Sequence, residues 1–318
     1  MVDVRNDPIS IGNTTVPPGR KVKIELPFAR LPTGSDAYLP IAVINGRTAG
    51  PNMWVSGGIH GDEINGVEVV REVMRALDAR NLRGAVIAVP IVNPLGFLMR
   101  SRYLPDRRDL NRAFPGSPRG STASRLAHLF LTEVVSHCSV GIDCHTASNH
   151  RMNIPQIRAD IDDEETLRLA RAFGAPFTIE SRIRDGSLRQ AATERGIKML
   201  VYEAGQSDRF DEEAIGFGVT GVMRTLSSLG MIDITLPGAG ATRVVRHTRW
   251  LRARRGGLVE IEPALGDRVV AGEVVARISD AFGARPTQIK SNLTGWVIAR
   301  TLSPLANPGD PLLHLASE

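Results

Sequence analysis

The feature that most restricts the fold is a regular alternation of apolar strands and amphipathic helices over residues 22–229. The stretch AVIAVPIVN at 85–93 is apolar along its whole length, which is typical of a strand in a sheet covered on both faces. The stretch at 63–78 instead repeats its apolar residues at helical spacing. Strands that alternate with helices predict an α/β domain with a mixed, mostly parallel sheet and flanking helices.

The same pattern predicts the order of the elements. Strands are expected at 22–26, 39–45, 53–56, 85–93, 139–144, 176–179 and 197–203, and helices at 63–78, 121–136, 163–173, 187–195 and 211–229. Residues 94–119 are irregular and rich in Arg, Pro and Gly, which is long for a connection inside a compact domain. Ordered loops of that length are usually functional.

The pattern changes near residue 230, after which there is no helix signal. Residues 256–278 and 294–315 form a weak internal repeat, which predicts a small two-fold β structure similar to the barrel-sandwich fold of biotinyl and lipoyl carrier domains. The chain therefore divides into a domain over 1–230, with 1–38 as its lead-in, and a β-rich accessory domain over 231–318. Lys290 is the nearest candidate for a carrier lysine, but it lacks flanking methionines, which favours an accessory role.

Composition excludes several classes of protein. The net charge is +5 and the pI about 9.7, but the arginines are scattered, and the cluster RHTRWLRARR at 246–255 is interpreted as a linker or domain-interface segment rather than a nucleic-acid patch. Two cysteines are too few for a disulfide framework. The scattered arginines lead us to expect no nucleic-acid partner. Neither a membrane-spanning run nor a signal-peptide pattern is present, so we expect a cytoplasmic protein with no membrane partner.

Three ionisable residues have the spacing of a metal site. In SGGIHGDEING at 56–66, His60 and Glu63 lie at i and i+3 between a strand and a helix, where both side chains can face one point. His145 in GIDCHTAS ends another apolar strand, and open α/β sheets place their ligand sites at that edge. A lone HxxE is common by chance, but the conjunction predicts a catalytic zinc site of the two-His, one-Glu type.

Two further stretches supply acid–base and cationic groups. MLVYEAGQ places Glu203 at the end of a third apolar strand, where a carboxylate can act as a general base. The loop MRSRYLPDRRDLNRAFPG contains five arginines, so that one guanidinium can stabilise an oxyanion and an Arg beside an Asn can bind a substrate carboxylate. Arg100, Arg107 and Arg108 are interpreted as ordinary surface residues.

Four motifs, GGIHGDEINGVE, SRYLPDRRDLNRAFPG, DCHTA and YEAG, occur in this order. On these motifs the chain resembles the succinylglutamate desuccinylase/aspartoacylase family, zinc-dependent deacylases with a carboxypeptidase-like α/β fold. The resemblance covers roughly residues 40–230, and the β-rich tail is similar to the C-terminal domain of many members. It implies one Zn²⁺ per chain held by His60, Glu63 and His145, Glu203 as the base, Arg102 as the carbonyl-polarising group, and Asn111 with Arg112 as the carboxylate clamp.

The resemblance also implies the function. We expect a zinc-dependent hydrolase, with 1–230 as its deacylase domain, that removes an acetyl- or succinyl-like group from a small N-acyl amino acid such as N-acetyl-diaminobutyrate. Some relatives contact substrate through a C-terminal tyrosine, but Tyr38, Tyr103 and Tyr202 are the only tyrosines here, so those contacts must differ. A zinc carboxypeptidase and a lipoyl-like carrier remain as alternatives, and a homo-oligomer is left open.

Overall fold

The computed structural model of the chain describes residues 4–181, 183–238, 240–283 and 286–317. The strands of the N-terminal part are β1 (Ile9–Ile11), β2 (Thr14–Val16), β3 (Arg20–Arg30), β4 (Asp36–Asn45), β5 (Thr48–Gly57), β6 (Arg83–Val89), β7 (Val140–Ala147), β8 (Arg151–Ala159), β9 (Phe177–Glu180) and β10 (Lys198–Gln206). Its helices are α1 (Asn65–Ala76), α2 (Pro94–Leu98), α3 (Thr122–Glu133), α4 (Glu164–Phe173), α5 (Leu188–Thr193) and α6 (Glu212–Ser228). The C-terminal strands are β11 (Arg243–Val245), β12 (Thr248–Arg252), β13 (Gly257–Ile261), β14 (Arg268–Val269), β15 (Val274–Ser279), β16 (Thr287–Lys290), β17 (Gly295–Thr301), β18 (Leu305–Ala306) and β19 (Pro311–Ser317).

A mixed sheet runs through the molecule in the order β12-β19-β17-β8-β10-β7-β5-β6-β4-β3. Its central strands β6, β5, β7 and β10 are parallel, and the connections between them are long and contain helices, as parallel pairing requires. The outer strands of this path pair antiparallel, as in β3–β4, where a short turn allows no other pairing. Strand β9 lies off the path and pairs parallel with β8 and β11. The predicted mixed α/β fold is confirmed, with its parallel pairing concentrated at the centre.

The core lies on both faces of this sheet. Residues alternate along each strand, so that Trp54 of β5 packs on one face while Met53 and Val55 pack on the other. Helices α1, α4 and α6 cover the face of Met53, and α3 and α5 cover the face of Trp54. Apolar β-strands covered on both sides are the expected consequence of the continuous apolar runs in the sequence.

Most predicted elements are present with boundaries shifted by a few residues, and the elements that were missed include α2 and β8. The predicted strand at 85–93 ends at Val89, since Pro90 lacks an N–H, and a short helix, α2, follows. Strand β8 was not predicted, because Pro155 and several polar residues hide its pattern. This omission matters, since β8 joins β10 to the C-terminal strands.

The C-terminal strands form a four-stranded sheet, β16-β15-β13-β18, and also extend the main sheet through β17, β19 and β12. Strand β17 pairs antiparallel with β8, with Ala299 opposite Asn153 and Thr301 opposite Arg151. As predicted, no helix occurs after Ser228 in the part of the chain that the structure describes. The accessory strands are therefore hydrogen-bonded directly to the sheet that carries the candidate site.

No helix among the described residues is long and apolar enough to cross a membrane.

Candidate metal centre and the cleft around it

Adjacent parallel strands bring the predicted site residues to one edge of the sheet. His60 follows the end of β5, Glu63 precedes α1, and His145 lies near the end of β7. Glu203 on β10 is directly opposite His145 in the pairing of these two strands. Because the carboxyl ends of parallel strands meet at one edge, residues distant in sequence become neighbours there.

Glycines allow the loops around this edge to approach closely. A Cβ on Gly66 would lie 2.5 Å from the carbonyl oxygen of Cys144, so the start of α1 can pack against β7 only with glycine at this position. A Cβ on Gly61 would lie 1.9 Å from the carbonyl carbon of Gly96. These contacts position the segment that carries His60 and Glu63 against the neighbouring strand and loop.

His60, Glu63 and His145 form a buried group that can hold a metal ion, with one ligand atom from each lying within 4.8 Å of the others. Nδ1 of His60 is 2.8 Å from Oε1 of Glu63, and Nδ1 of His145 is 2.8 Å from Oε2. The backbone N–H of Thr146 also donates to Oε2 of Glu63, at 3.1 Å. Two imidazoles and one carboxylate are a donor set that suits zinc and related divalent metals.

One aspartate contacts each imidazole on the side away from Glu63. Nε2 of His60 lies 3.2 Å from Oδ1 of Asp109, and Nε2 of His145 lies 2.8 Å from Oδ2 of Asp143. Ser56 donates to the other oxygen of Asp143 at 2.7 Å. An aspartate beside Nε2 favours the tautomer of the neutral imidazole that carries its proton there, which leaves Nδ1 available to a metal. Carboxylates behind ligating histidines commonly orient them in this way. The residues present therefore fit a metal ion.

The electrostatics of the group agree with that interpretation. Burial alone would raise the pKa of Glu63, but the two imidazoles beside it hold the pKa well below its usual range. Burial would lower the pKa of His145, but Asp143 and Glu63 raise it well above its ordinary value. Glu63 is thus held in its ionised form, which is the form of a carboxylate that binds a metal.

Arg102 lies beside His60, Glu63 and His145, which we call the metal-ligand group. Its Nε and Nη2 donate to Oδ2 of Asp109 at 3.1 and 2.9 Å, and its Nη1 lies 3.4 Å from Oε1 of Glu63. Burial would lower the pKa of Arg102, but Asp109 and Glu63 raise it. The guanidinium is therefore a fixed positive charge at the edge of the centre.

Asn111 and Arg112 lie in a short 3₁₀ turn and both line the cleft. Oδ1 of Asn111 accepts from the backbone N–H of Leu188 at 2.9 Å, which ties the loop to the start of α5. The guanidinium of Arg112 donates to the backbone carbonyl of Asn111. Asn111 thus has a structural contact in addition to any contact with substrate, whereas Arg112 has no carboxylate partner among the residues described.

Both oxygens of Glu203 have partners from β8. Nδ2 of Asn153 donates to Oε2 at 2.9 Å, and Nε of Arg158 lies 3.4 Å from Oε1. Sequence reasoning missed both partners because it missed β8. The carboxylate lines the cleft and is held in one orientation, which suits a group that transfers protons.

The cleft has a volume of about 410 Å³ and contains all seven predicted site residues. It is also lined by four arginines that were not assigned to it from sequence, Arg151, Arg158, Arg184 and Arg189. Trp250 of β12 lines it too, so the accessory strands contribute an aromatic side chain where no C-terminal tyrosine exists. A slightly larger cavity, of about 460 Å³, lies between β8, α6 and the accessory strands, but it lacks the metal-ligand group.

The chain is also similar to known proteins. Residues 49–229 match the model of the succinylglutamate desuccinylase/aspartoacylase catalytic domain. The N-alpha-acetyl-L-2,4-diaminobutyric acid deacetylase of Halomonas elongata is 29% identical, over 91% of this chain and 90% of that protein.

Two solved structures have the same fold. The succinylglutamate desuccinylase/aspartoacylase from Rhodobacter sphaeroides matches with a TM-score of 0.86 and 27% identity, over 97% of this chain and 98% of that chain. The product-bound ectoine utilization protein EutE (DoeB) from Ruegeria pomeroyi also gives a TM-score of 0.86, at 24% identity over 99% of this chain and 100% of that one.

Proposed function

Since the chain belongs to the succinylglutamate desuccinylase/aspartoacylase family, we propose that it is a zinc-dependent hydrolase that removes an acyl group from the amino nitrogen of a small N-acyl amino acid. The observation that carries this proposal is the convergence of His60, Glu63 and His145 with Arg102 and Glu203 in one cleft. The similarity to a deacetylase of N-acetyl-diaminobutyrate supports cleavage of a linear amide.

His60, Glu63 and His145 are the residues that would hold the zinc ion. Three protein ligands are characteristic of catalytic zinc sites, whereas structural sites normally have four. When bound, zinc would supply Lewis-acid catalysis and lower the pKa of a water molecule. Asp109 and Asp143 would keep the two imidazoles oriented toward it.

Glu203 is the proposed general base. Its carboxylate would accept a proton from the attacking water and deliver it to the departing amino nitrogen. Asn153 and Arg158 would hold both carboxylate oxygens in place during these transfers. The position of Glu203 opposite His145, on the neighbouring strand, supports this role.

Two arginines have different proposed roles. Arg102 would donate to the oxygen that gains negative charge as the scissile carbonyl is attacked, and Asp109 would hold its guanidinium for that purpose. Arg112, with Asn111 beside it, would bind the carboxylate of the amino acid.

The charge of the cleft bears on the choice of substrate. The described residues that line it include six arginines but only two acids, Glu63 and Glu203, although Asp109 also pairs with Arg102. The six arginines are Arg102, Arg112, Arg151, Arg158, Arg184 and Arg189. The relative from Halomonas elongata supports a diaminobutyrate derivative, whose side-chain ammonium these arginines would repel. The arginines favour a second candidate, a substrate with a further carboxylate on its acyl group or side chain.

A substrate panel tests the proposal. The zinc-loaded protein is incubated with N-acetyl-L-diaminobutyrate, N-acetyl-L-glutamate, N-succinyl-L-alanine, N-acetyl-L-alanine and a short peptide, and free amine is measured. We expect amine from at least one N-acyl amino acid and no residue released from the peptide. Release from the peptide alone would contradict the proposal and indicate a carboxypeptidase.

A further inference from the structure

An aromatic stack from the accessory strands supports one arginine of the cleft. Trp250 of β12 and His314 of β19 are stacked, with ring centroids 4.4 Å apart and planes 6° from parallel. The guanidinium carbon of Arg151 lies over the Trp250 ring, 5.5 Å from its centroid. Nε of Arg151 donates to the carbonyl of Ser148 at 3.0 Å. Arg151 and Trp250 both line the cleft, whereas His314 is buried behind them.

The guanidinium of Arg151 faces an excess of positive charge. Burial, followed by the charges of Arg102 and Arg252, lowers the pKa of Arg151, and Glu203 opposes this shift. No ion pair to Arg151 is formed by the residues that the structure describes, although Arg102 and Arg158 each have a carboxylate partner. An unpaired cation in a half-buried cleft is costly unless an anion binds it.

We propose that Arg151, held on the ring of Trp250, binds a second carboxylate of the substrate, so that the accessory strands determine substrate selectivity by positioning an arginine of the catalytic sheet. This inference rests on the proposed function and specifies its substrate class. The carboxylate belongs either to the acyl group or to the amino-acid side chain. Arg151 contacts the substrate, and Trp250 is a positioning residue.

The stack is suited to that task. A guanidinium over an indole face gains a favourable cation–π contact, and a flat ring restricts where the guanidinium can lie. Burial, with Arg158 and Arg151 nearby, lowers the pKa of His314 to about 3, so His314 is neutral and does not repel the arginine. The pairing of β17 with β8, with Thr301 opposite Arg151, holds the accessory strands at this position.

Binding measurements test the inference without relying on turnover. The zinc-loaded Glu203→Gln protein is used, because it should bind the ligands without hydrolysing them. Calorimetry gives the dissociation constants for N-succinyl-L-alanine, N-acetyl-L-glutamate and the reference ligand N-acetyl-L-alanine. We expect one of the two dicarboxylates to bind more tightly than the reference. Arg151→Gln should reduce this preference about tenfold to a hundredfold, the usual effect of losing a charge-assisted pair, and Arg151→Lys should restore part of it.

Variants of the stack separate positioning from simple destabilisation. Trp250→Leu should reduce the preference about two- to fivefold, and Trp250→Phe should retain more of it. Arg249→Gln is the matched control, because Arg249 neighbours Trp250 on β12 but is exposed to solvent. The Arg249→Gln variant should prefer the dicarboxylate over N-acetyl-L-alanine as strongly as the parent Glu203→Gln protein does.

The outcomes distinguish this inference from the proposed function. Equal binding of all three ligands, binding of none, or an unchanged preference in Arg151→Gln would overturn the inference. If one of these results is obtained and the protein with Glu203 intact still releases amine from N-acetyl-L-alanine, the inference fails but the deacylase function is supported. A preference that depends on Arg151 in a protein that hydrolyses nothing on the panel would support the inference and contradict the function.

Discussion

Asp143 and His145 lie two residues apart on β7, and the Asp143 carboxylate holds Nε2 of His145 at 2.8 Å. The opposite nitrogen of His145 faces Glu63. A single carboxylate therefore decides which nitrogen of His145 is available to a metal. The first prediction follows from this contact.

Asp143→Asn should weaken zinc binding about tenfold to a hundredfold while the protein stays folded. The amide nitrogen would face Nε2, so the imidazole proton would move to Nδ1, the nitrogen that faces Glu63. Competition with a chromogenic chelator measures the affinity. Asp106→Asn, an exposed carboxylate of the adjacent loop, is the control and should bind zinc as the wild type does. Unchanged affinity in Asp143→Asn would show that another group orients His145.

Glu203→Gln should retain zinc and slow the chemical step by about two orders of magnitude or more, because the amide cannot take a proton from water. Its carbonyl oxygen can still accept from Asn153, so the strand pairing should persist. Single-turnover amine release measures the effect, with the exposed Glu194→Gln as the control. Near-normal turnover would mean that another group moves the proton.

Arg112→Ala should abolish the preference for an N-acyl amino acid over its carboxamide. Loss of a charge-assisted bidentate contact costs about 1.5–3 kcal/mol, or roughly tenfold to a hundredfold in transition-state binding. Arg112→Lys should recover only part, since an ammonium cannot form the planar fork. The kcat/KM ratio for the acid and the amide is the measurement. A variant that still discriminates as the wild type does would place the clamp elsewhere.

Arg102→Ala should behave differently from Arg112→Ala. Its guanidinium is proposed to act on charge that develops during the reaction, so its loss should lower kcat more than it raises KM. A fall of about two to three orders of magnitude is typical for one such donor. Steady-state kinetics on the preferred substrate check this. An effect confined to KM would indicate that Arg102 binds the ground state.

The buried His314 should make stability depend on pH. Its pKa in the folded protein is about 3, below the ordinary 6.5, so the unfolded chain takes up a proton first as the pH falls. The free energy of unfolding is therefore unaffected by the protonation of His314 above about pH 6.5, and it falls by about 1.4 kcal/mol per pH unit below that pH. The free energy of unfolding, measured with urea, should change less between pH 7.5 and pH 5 in His314→Phe than in the wild type. An equal difference in both proteins would contradict a neutral buried His314.

The metal-ligand group was predictable because its signal is local. His60 and Glu63 follow an apolar strand at helical spacing, and His145 ends a second one, so the geometry of a parallel sheet brings them together. Asp143 could have been found by the same reasoning, since residues two apart on a strand share a face. Its role was missed because the motif was interpreted through His145 alone.

The rest of the cleft depends on contacts that no local pattern encodes. Arg151, Asn153 and Arg158 lie on β8, whose interrupting Pro155 conceals the strand. Trp250 reaches the cleft only because β17 pairs with β8 and β12 pairs with β19. Pairing between strands so distant in the chain is set by the packing of the whole sheet.

The central claim is that hydrolysis depends on a metal held by His60, Glu63 and His145. The most direct measurement is amine release from the best N-acyl amino acid of the panel while zinc is titrated into chelator-treated protein. We expect activity to be absent at first, to return in proportion to zinc and to saturate at about one ion per chain, with no recovery in a His60→Ala, His145→Ala double variant. Activity that survives chelation, or a double variant that regains it with zinc, would contradict the claim.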